Sequence, residues 1–301
     1  MADIRTERQS RRAAGLDTWP AEDVVEALLD GQLAAAAAAH GTAAAMTAAV
    51  ETVAARLAEG GRLAYVGAGT SGRLAVLDGV ELVPTFGWPR DRLVYLLAGG
   101  DRAMFNAVEG AEDDAEDGRV RVGAAGLGPA DVLVGVAASG HTPFTVAAVA
   151  AGREAGVLTV GICSDAASPL AAAADHPIVV DSGAELIAGS TRMRAGTAQK
   201  ALLNTLSTGV MIRLGHVHDG YMIAVQPTNR KLRVRAAGII AEIAGCDHAA
   251  AEAALAAAGG SVAAGVLIAA GAEPDRARRL LDDAGGHLRP ALARLKGREQ
   301  C

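Results

Sequence analysis

The sequence predicts an α/β protein, a parallel sheet covered by helices on both faces, followed by a smaller all-helical region. Three observations carry that expectation. Short continuous apolar runs recur between Arg62 and Val180, each bounded by Gly, Asp or Ser. Ala-rich windows of helical length separate them. After about residue 240 only short amphipathic segments remain, broken at Gly259-Gly260 and Gly285-Gly286. Apolar runs that are continuous rather than alternating mark strands buried on both faces, and strands that alternate with helices assemble in parallel.

The elements follow in order. Residues 1–25 are polar and carry Arg5, Arg8, Arg11 and Arg12, which reads as an arm. Arg11-Arg12 superficially matches a twin-arginine export signal, but Asp17, Pro20, Glu22 and Asp23 follow where an apolar segment is required, so an export signal is rejected. Residues 26–59 read as helical up to Gly60-Gly61. The apolar run Leu33–Val50 inside that span is mostly Ala and includes His40 and Gly41, which suits a packed helix better than a membrane span. Strands are expected at Arg62–Val66, Arg92–Ala98, Asp131–Ala137, Val157–Ile162 and Pro177–Val180, and a long helix at Met193–Leu214. The expected organisation is an N-terminal arm and helix over 1–45, a main domain over 46–235 and a helical C-terminal domain over 236–301.

Composition narrows the class. Hydrophobic residues make up 51% and aromatics only 3%, so the core must be built from Ala, Val and Leu. A formal charge of −6 argues against a nucleic-acid surface, which needs a basic stripe. Cys163, Cys246 and Cys301 form no CxxC pair, which excludes a zinc motif and a disulfide framework and fits a reducing, cytoplasmic setting.

In a parallel sheet, ligands bind at the carboxyl ends of strands, near helix N-termini. Three segments there are rich in small hydroxyl residues: Gly67–Arg73 with Gly69, Thr70 and Ser71; Ala138–Pro143 with Ser139, Gly140, His141 and Thr142; and Gly189-Ser190-Thr191. Backbone N–H groups, hydroxyls and a helix dipole together bind an oxyanion. The first loop also matches GxGxxG, but a dinucleotide site wants an acidic residue about 20 positions on at the end of the second strand, which here ends near Ala98–Asp101, well past that distance, and no Walker pattern occurs. Hydroxyl-rich loops suit a compact monophosphate better than a pyrophosphate. The bland alternative is that Gly and Ser merely make tight turns.

These loops and the stretches between them closely resemble the N-acetylmuramic acid 6-phosphate etherase family. The matching segments are Tyr65–Leu74, Leu77–Gly87, Ala107–Asp114 (AVEGAEDD), Gly135–Pro143, Gly189–Asn204 (GSTRMRAGTAQKALLN) and Gln226–Leu232. The resemblance covers nearly the whole chain. It implies a sugar isomerase (SIS) type sandwich with a five-stranded parallel sheet, a small helical (UBA-like) C-terminal domain, and a homodimer acting on a sugar phosphate. It also implies Glu81 as proton donor and Glu112 as base, with Glu185, Thr191, Lys200 and Asn204 lining the pocket or capping helices. The chain departs from the family pattern at His141, where Arg is usual, and at Gly79-Val80, where Ala-Ser usually precedes the first catalytic Glu.

The implied reaction cleaves the ether between D-lactate and C3 of the sugar. In the open-chain form the C1 aldehyde acidifies the C2 proton; one carboxylate removes it and a second protonates the departing oxygen. The acid needs burial to stay protonated, which the apolar run Leu74–Leu77 and Val80 around Glu81 leads one to expect; the base must stay ionised, as Glu112 would among Glu109, Asp113, Asp114 and Glu116. Taken alone, such an acidic run reads as a solvated face. This chemistry requires no cofactor, and neither a nucleic acid nor a membrane is expected as partner. His216 and His218 have metal-pair spacing but no third ligand nearby, so a polar loop is the better reading. The rivals are another sugar-phosphate isomerase on the same fold, a non-catalytic sugar-phosphate sensor like the regulator of glucokinase, and, least supported, an NAD-dependent dehydrogenase.

Overall fold

The computed structural model describes residue 10 and residues 13–297, so Arg5, Arg8, Arg11, Arg12 and Cys301 lie outside the described residues. Helices α1 (Ala21–His40) and α2 (Ala43–Ala58) replace the single helix expected over 26–59. The break falls at Gly41-Thr42, where the Thr42 hydroxyl donates to the Ala39 carbonyl at 2.8 Å and so competes with the helical ladder. Among the described residues no single helix is long and apolar enough to cross a membrane; α1 and α2 would pass only if counted together across a 61° bend. α2 buries Met46, Ala49, Val53, Ala54 and Leu57.

The chain then runs through β1 (Leu63–Gly67), α3 (Gly69–Phe86), β2 (Leu93–Leu97), α4 (Ala115–Ala124), β3 (Val132–Val136), α5 (Pro143–Glu154), β4 (Leu158–Cys163), α6 (Pro169–Ala173), β5 (His176–Val179) and α7 (Arg194–Arg213). The five strands are all parallel, in the order β2-β1-β3-β4-β5. Every residue of β1, β3 and β4 is buried, as their continuous apolar runs require. The chain leaves β1 to one side for β2 and returns on the other side as β3. That reversal opens a crevice beyond the carboxyl ends of β1 and β3.

At the opposite strand ends, Arg62 and Asp131 lock β1 to β3. Arg62 Nη2 lies 2.7 Å from Asp131 Oδ2, and the Asp131 carboxylate also accepts from the backbone N–H groups of Arg62 and Gly128 at 2.8 and 3.0 Å. Burial alone would raise the Asp131 pKa, but the hydrogen bonds and charge of Arg62, with the Gly128 N–H, hold it below the usual carboxylate range. A depressed acid pKa contributes stability above the unfolded value of about 3.9 and loses it as pH falls through the folded value. Urea melts at pH 7 are therefore expected to show Asp131→Asn less stable by about 1–3 kcal/mol, with the gap closing as pH falls below the unfolded value of about 3.9.

The chain divides into two compact units, residues 1–79 with 91–207 and residues 80–90 with 208–301, so the division falls within α3 and α7. The second unit holds a hairpin of β6 (Val217–His218) and β7 (Tyr221–Met222), then α8 (Arg230–Ala244), α9 (His248–Ala257), α10 (Val262–Ala269), α11 (Pro274–Asp282) and α12 (Leu288–Gly297). The boundary expected near 235 falls inside α8, whose Ala236, Ala237, Ile239 and Ile240 belong to the C-terminal core. The hairpin turns at Asp219-Gly220, both with positive φ, as a two-residue connection requires. His216 Nδ1 donates to the Phe86 carbonyl at 2.7 Å, and burial keeps the His218 pKa below the usual imidazole value. His216 is thus tied to the end of α3, and His218 lies in β6; among the described residues no group of three His, Cys, Asp or Glu is placed to hold a metal.

Candidate active site

The three hydroxyl-rich loops converge in the first unit. One cavity of about 360 Å³ is walled by Gly69, Thr70 and Ser71, by Ser139, His141 and Thr142, by Gly189 and Thr191, and by Glu112 and Asp113. A larger cavity of about 1000 Å³ lies within the second unit, beside Gln226, Pro227 and Thr228. Its single carboxylate, Glu252, faces His248 at 3.4 Å. Size favours that cavity, but the smaller one unites hydroxyls, helix N-termini and carboxylates, and chemistry decides for it.

Each wall has a local cause. Only Ala68 separates β1 from α3, so the chain turns straight from strand into helix and presents the first N–H groups of α3 to the cavity. Gly72 makes that turn possible, since a Cβ there would lie 2.3 Å from Leu97 Cδ1 and 2.7 Å from the Gly67 carbonyl oxygen. The Ser71 hydroxyl is buried and donates to Gln199 Oε1 at 3.0 Å. In the second loop His141 Nδ1 contacts the Ser139 carbonyl at 2.9 Å; a carbonyl only accepts, so Nδ1 carries hydrogen there. The His141 N–H donates to Ser139 Oγ at 3.2 Å. Gly140 lies in this loop but does not line the cavity; a Cβ there would lie 2.3 Å from Ser168 Oγ.

Glu112 is exposed, and its backbone carbonyl accepts from Phe144 N at 3.1 Å, which ties the acidic segment to the first turn of α5. The acidic run is partly structural: Asp114 caps α4 by accepting from Asp117 N, and Asp117 pairs with Arg121 at 2.7 Å.

The remaining predicted residues stand elsewhere. The Glu185 carboxylate is buried and accepts from the backbone N–H groups of Arg194 and Ala195, both at 3.0 Å, so it caps α7. Lys200 is exposed and donates to Asn204, which donates in turn to the buried Asp78 at 2.6 Å. Asp78 also accepts from Tyr65 and Ser207 at 2.8 and 3.0 Å. Burial raises its pKa against the pull of those donors and of the Lys200 charge. Ser190 is half-buried and outside the cavity wall. Glu81 belongs to the second unit and is exposed, flanked by Leu77 and Val80, themselves 49% and 47% exposed. The burial expected from its apolar neighbours is therefore absent within the chain, because on α3 those neighbours share its solvent-facing side. The departure at Gly79 has a packing cause: a Cβ there would lie 2.7 Å from Tyr95 Cε1 and 2.9 Å from Tyr65 Cε2.

A strand-order reversal, helix N-termini and hydroxyl loops at its mouth make a candidate anion-binding crevice in a doubly wound sheet, and the fold is of the SIS class. Family models agree: residues 45–153 match the glucokinase regulatory protein N-terminal SIS domain and residues 114–208 the SIS domain. Among solved structures, a protein assigned as a phosphosugar isomerase involved in capsule formation from Bacteroides fragilis superposes with a TM-score of 0.50 at 20% identity, covering 67% of this chain and 95% of that one. That likeness speaks for the fold. More specific are N-acetylmuramic acid 6-phosphate etherases from Deinococcus radiodurans, 49% identical over 96% of this chain and 95% of the relative, and from Streptomyces avermitilis, 44% identical over 96% and 94%. The chain belongs to the N-acetylmuramic acid 6-phosphate etherase family, a family of carbon–oxygen lyases.

Proposed function

We propose that this chain cleaves the D-lactyl ether of N-acetylmuramic acid 6-phosphate, releasing D-lactate and N-acetylglucosamine 6-phosphate in the recycling of cell-wall amino sugars. The observation that carries the proposal is one cavity holding three hydroxyl loops together with Glu112. The 6-phosphate is taken by the α3 N-terminus with Ser71, Ser139 and Thr191. Glu112 removes the C2 proton of the open-chain sugar. The C3–O bond then breaks, the lactate oxygen takes a proton from Glu81, and C2 and C3 become doubly bonded. Water adds at C3 while a proton returns to C2, so the lactate leaves with its own oxygen. The sensor alternative is not favoured, since the near-full-length relatives are etherases and both carboxylates are present.

Incubation of the purified chain with N-acetylmuramic acid 6-phosphate is expected to yield one D-lactate per sugar, and none from the unphosphorylated sugar at equal concentration. Equal release from both sugars would remove the phosphate from the proposal, and release from neither would remove the reaction.

The working form is proposed to be a cytoplasmic homodimer. Free Cys163 and Cys246 support the compartment. Val25, Leu29 and Leu33 repeat every four residues on α1 at 54%, 59% and 71% exposure, and Leu77 and Val80 flank Glu81. A second copy laid over α3 would bury that glutamate and supply the weakly polar surroundings an acid needs. Sedimentation at micromolar concentration is expected to show a dimer, and Leu29→Asp with Leu33→Asp to weaken it; a wild-type monomer would contradict the assembly.

A further inference from the structure

Gln199 sits on α7, is only 2% exposed, and reaches the cavity wall through its hydrogen bond with Ser71. Its Oε1 accepts from Ser71, while its Nε2 has no hydrogen-bond partner among the described residues. Buried amide nitrogens are rarely left without an acceptor, and an unpaired oxygen is tolerated better than an unpaired N–H. The oxygen and nitrogen of an amide fill nearly the same space, so the opposite orientation of Gln199 fits the same site. In that orientation Nε2 donates to Ser71 Oγ, and the Ser71 proton is released from Gln199. That proton then needs another acceptor. Ser71 lines the cavity, where an anion would supply one.

We propose that Gln199 is the positioning residue of the phosphate site. In one orientation, Gln199 Oε1 accepts the Ser71 proton. With phosphate bound, the amide turns, Nε2 donates to Ser71 Oγ, and the Ser71 hydroxyl donates to a phosphate oxygen. Each bond in that chain polarises the next. The inference rests on the cavity being the phosphate site, and it adds a residue that makes no contact with the ligand.

Calorimetric binding of inorganic phosphate and of N-acetylglucosamine 6-phosphate tests it, because neither probe depends on turnover. Ser71→Ala is expected to weaken both by about ten-fold, the worth of one charge-assisted hydrogen bond. Gln199→Glu should weaken binding at least as much, since a carboxylate only accepts and keeps the Ser71 proton away from the ligand while adding like charge. Gln199→Met keeps the length but cannot orient the hydroxyl; it should weaken binding by about three- to ten-fold, while the melting temperature of the ligand-free protein shifts by no more than a few degrees. Added to Ser71→Ala, Gln199→Met should have no further effect on affinity. Wild-type affinity in both Gln199 variants, with Ser71→Ala weakened, would overturn the role of Gln199 and leave the phosphate site standing. Wild-type affinity in Ser71→Ala would overturn both. An affinity loss in Gln199→Met that persists without Ser71 would mark Gln199 as merely structural and overturn the inference.

Discussion

Glu112→Gln is expected to lower lactate release by about 10²–10⁴-fold, the range that one positioned acid or base contributes. Glutamine keeps the volume of glutamate and can hydrogen-bond, but it cannot take a proton from carbon. The local backbone should not change, because the bond from Phe144 N to the Glu112 carbonyl does not involve the side chain. Asp113 shares the cavity wall and provides the control. If Glu112 is the base, Asp113→Asn should change the rate by no more than a few-fold, whereas equal losses in both variants would assign the effect to the charge of the acidic segment as a whole. Initial rates of lactate formation, with circular dichroism to confirm folding, decide between them.

Gly140→Ala should damage both stability and phosphate binding. Gly140 has φ +75°, and a Cβ would lie 2.3 Å from Ser168 Oγ and 2.5 Å from Ser168 Cβ. Ser168 cannot yield: it is fully buried, donates to the Asp165 carbonyl at 2.7 Å and caps α6. The positive φ costs an alanine about 1 kcal/mol and the overlap about 1–3 more, so a loss of about 2–4 kcal/mol is expected in urea melts. The second loop must shift to relieve the overlap, moving Ser139 and weakening phosphate binding by about ten-fold or more. Gly123→Ala gives the contrast. It lies within α4 with nothing near its would-be Cβ, so alanine there should stabilise the protein by about 0.5–1 kcal/mol.

What was legible in the sequence depended on how local its cause was. All five sheet strands appear within a residue or two of their expected places, because burial on both faces demands continuous apolar runs. The hydroxyl loops were legible because strand-to-helix turns that leave N–H groups free need Gly, Ser and Thr. The β6-β7 hairpin was missed although Asp219-Gly220 is a strong turn signal; strands of two residues carry no alternation to support it. The break at Gly41-Thr42 was hidden by the alanines on either side, which favour helix whatever the tertiary structure does. Motif alone gives Glu185 and Lys200 as lining the pocket or capping helices; Glu185 caps α7, and Lys200 donates to Asn204 in the network around Asp78. Gln199 lies inside the matching segment Gly189–Asn204, but nothing in the sequence marks it as the partner of Ser71, 128 residues away. Burial of Glu81 was inferred from adjacent apolar residues, but adjacency in sequence does not say which side of a helix faces inward.

The central claim is that proton removal at C2 precedes loss of lactate and that the two steps use different carboxylates. Proton exchange at C2 of N-acetylmuramic acid 6-phosphate in heavy water, followed by NMR, separates them. With Glu81→Gln the base remains, so the C2 proton should be replaced by deuterium while little lactate appears. With Glu112→Gln neither exchange nor lactate should appear. Normal exchange in Glu112→Gln with none in Glu81→Gln would reverse the two roles, and wild-type lactate release without any exchange or loss of the C2 proton would contradict the elimination itself.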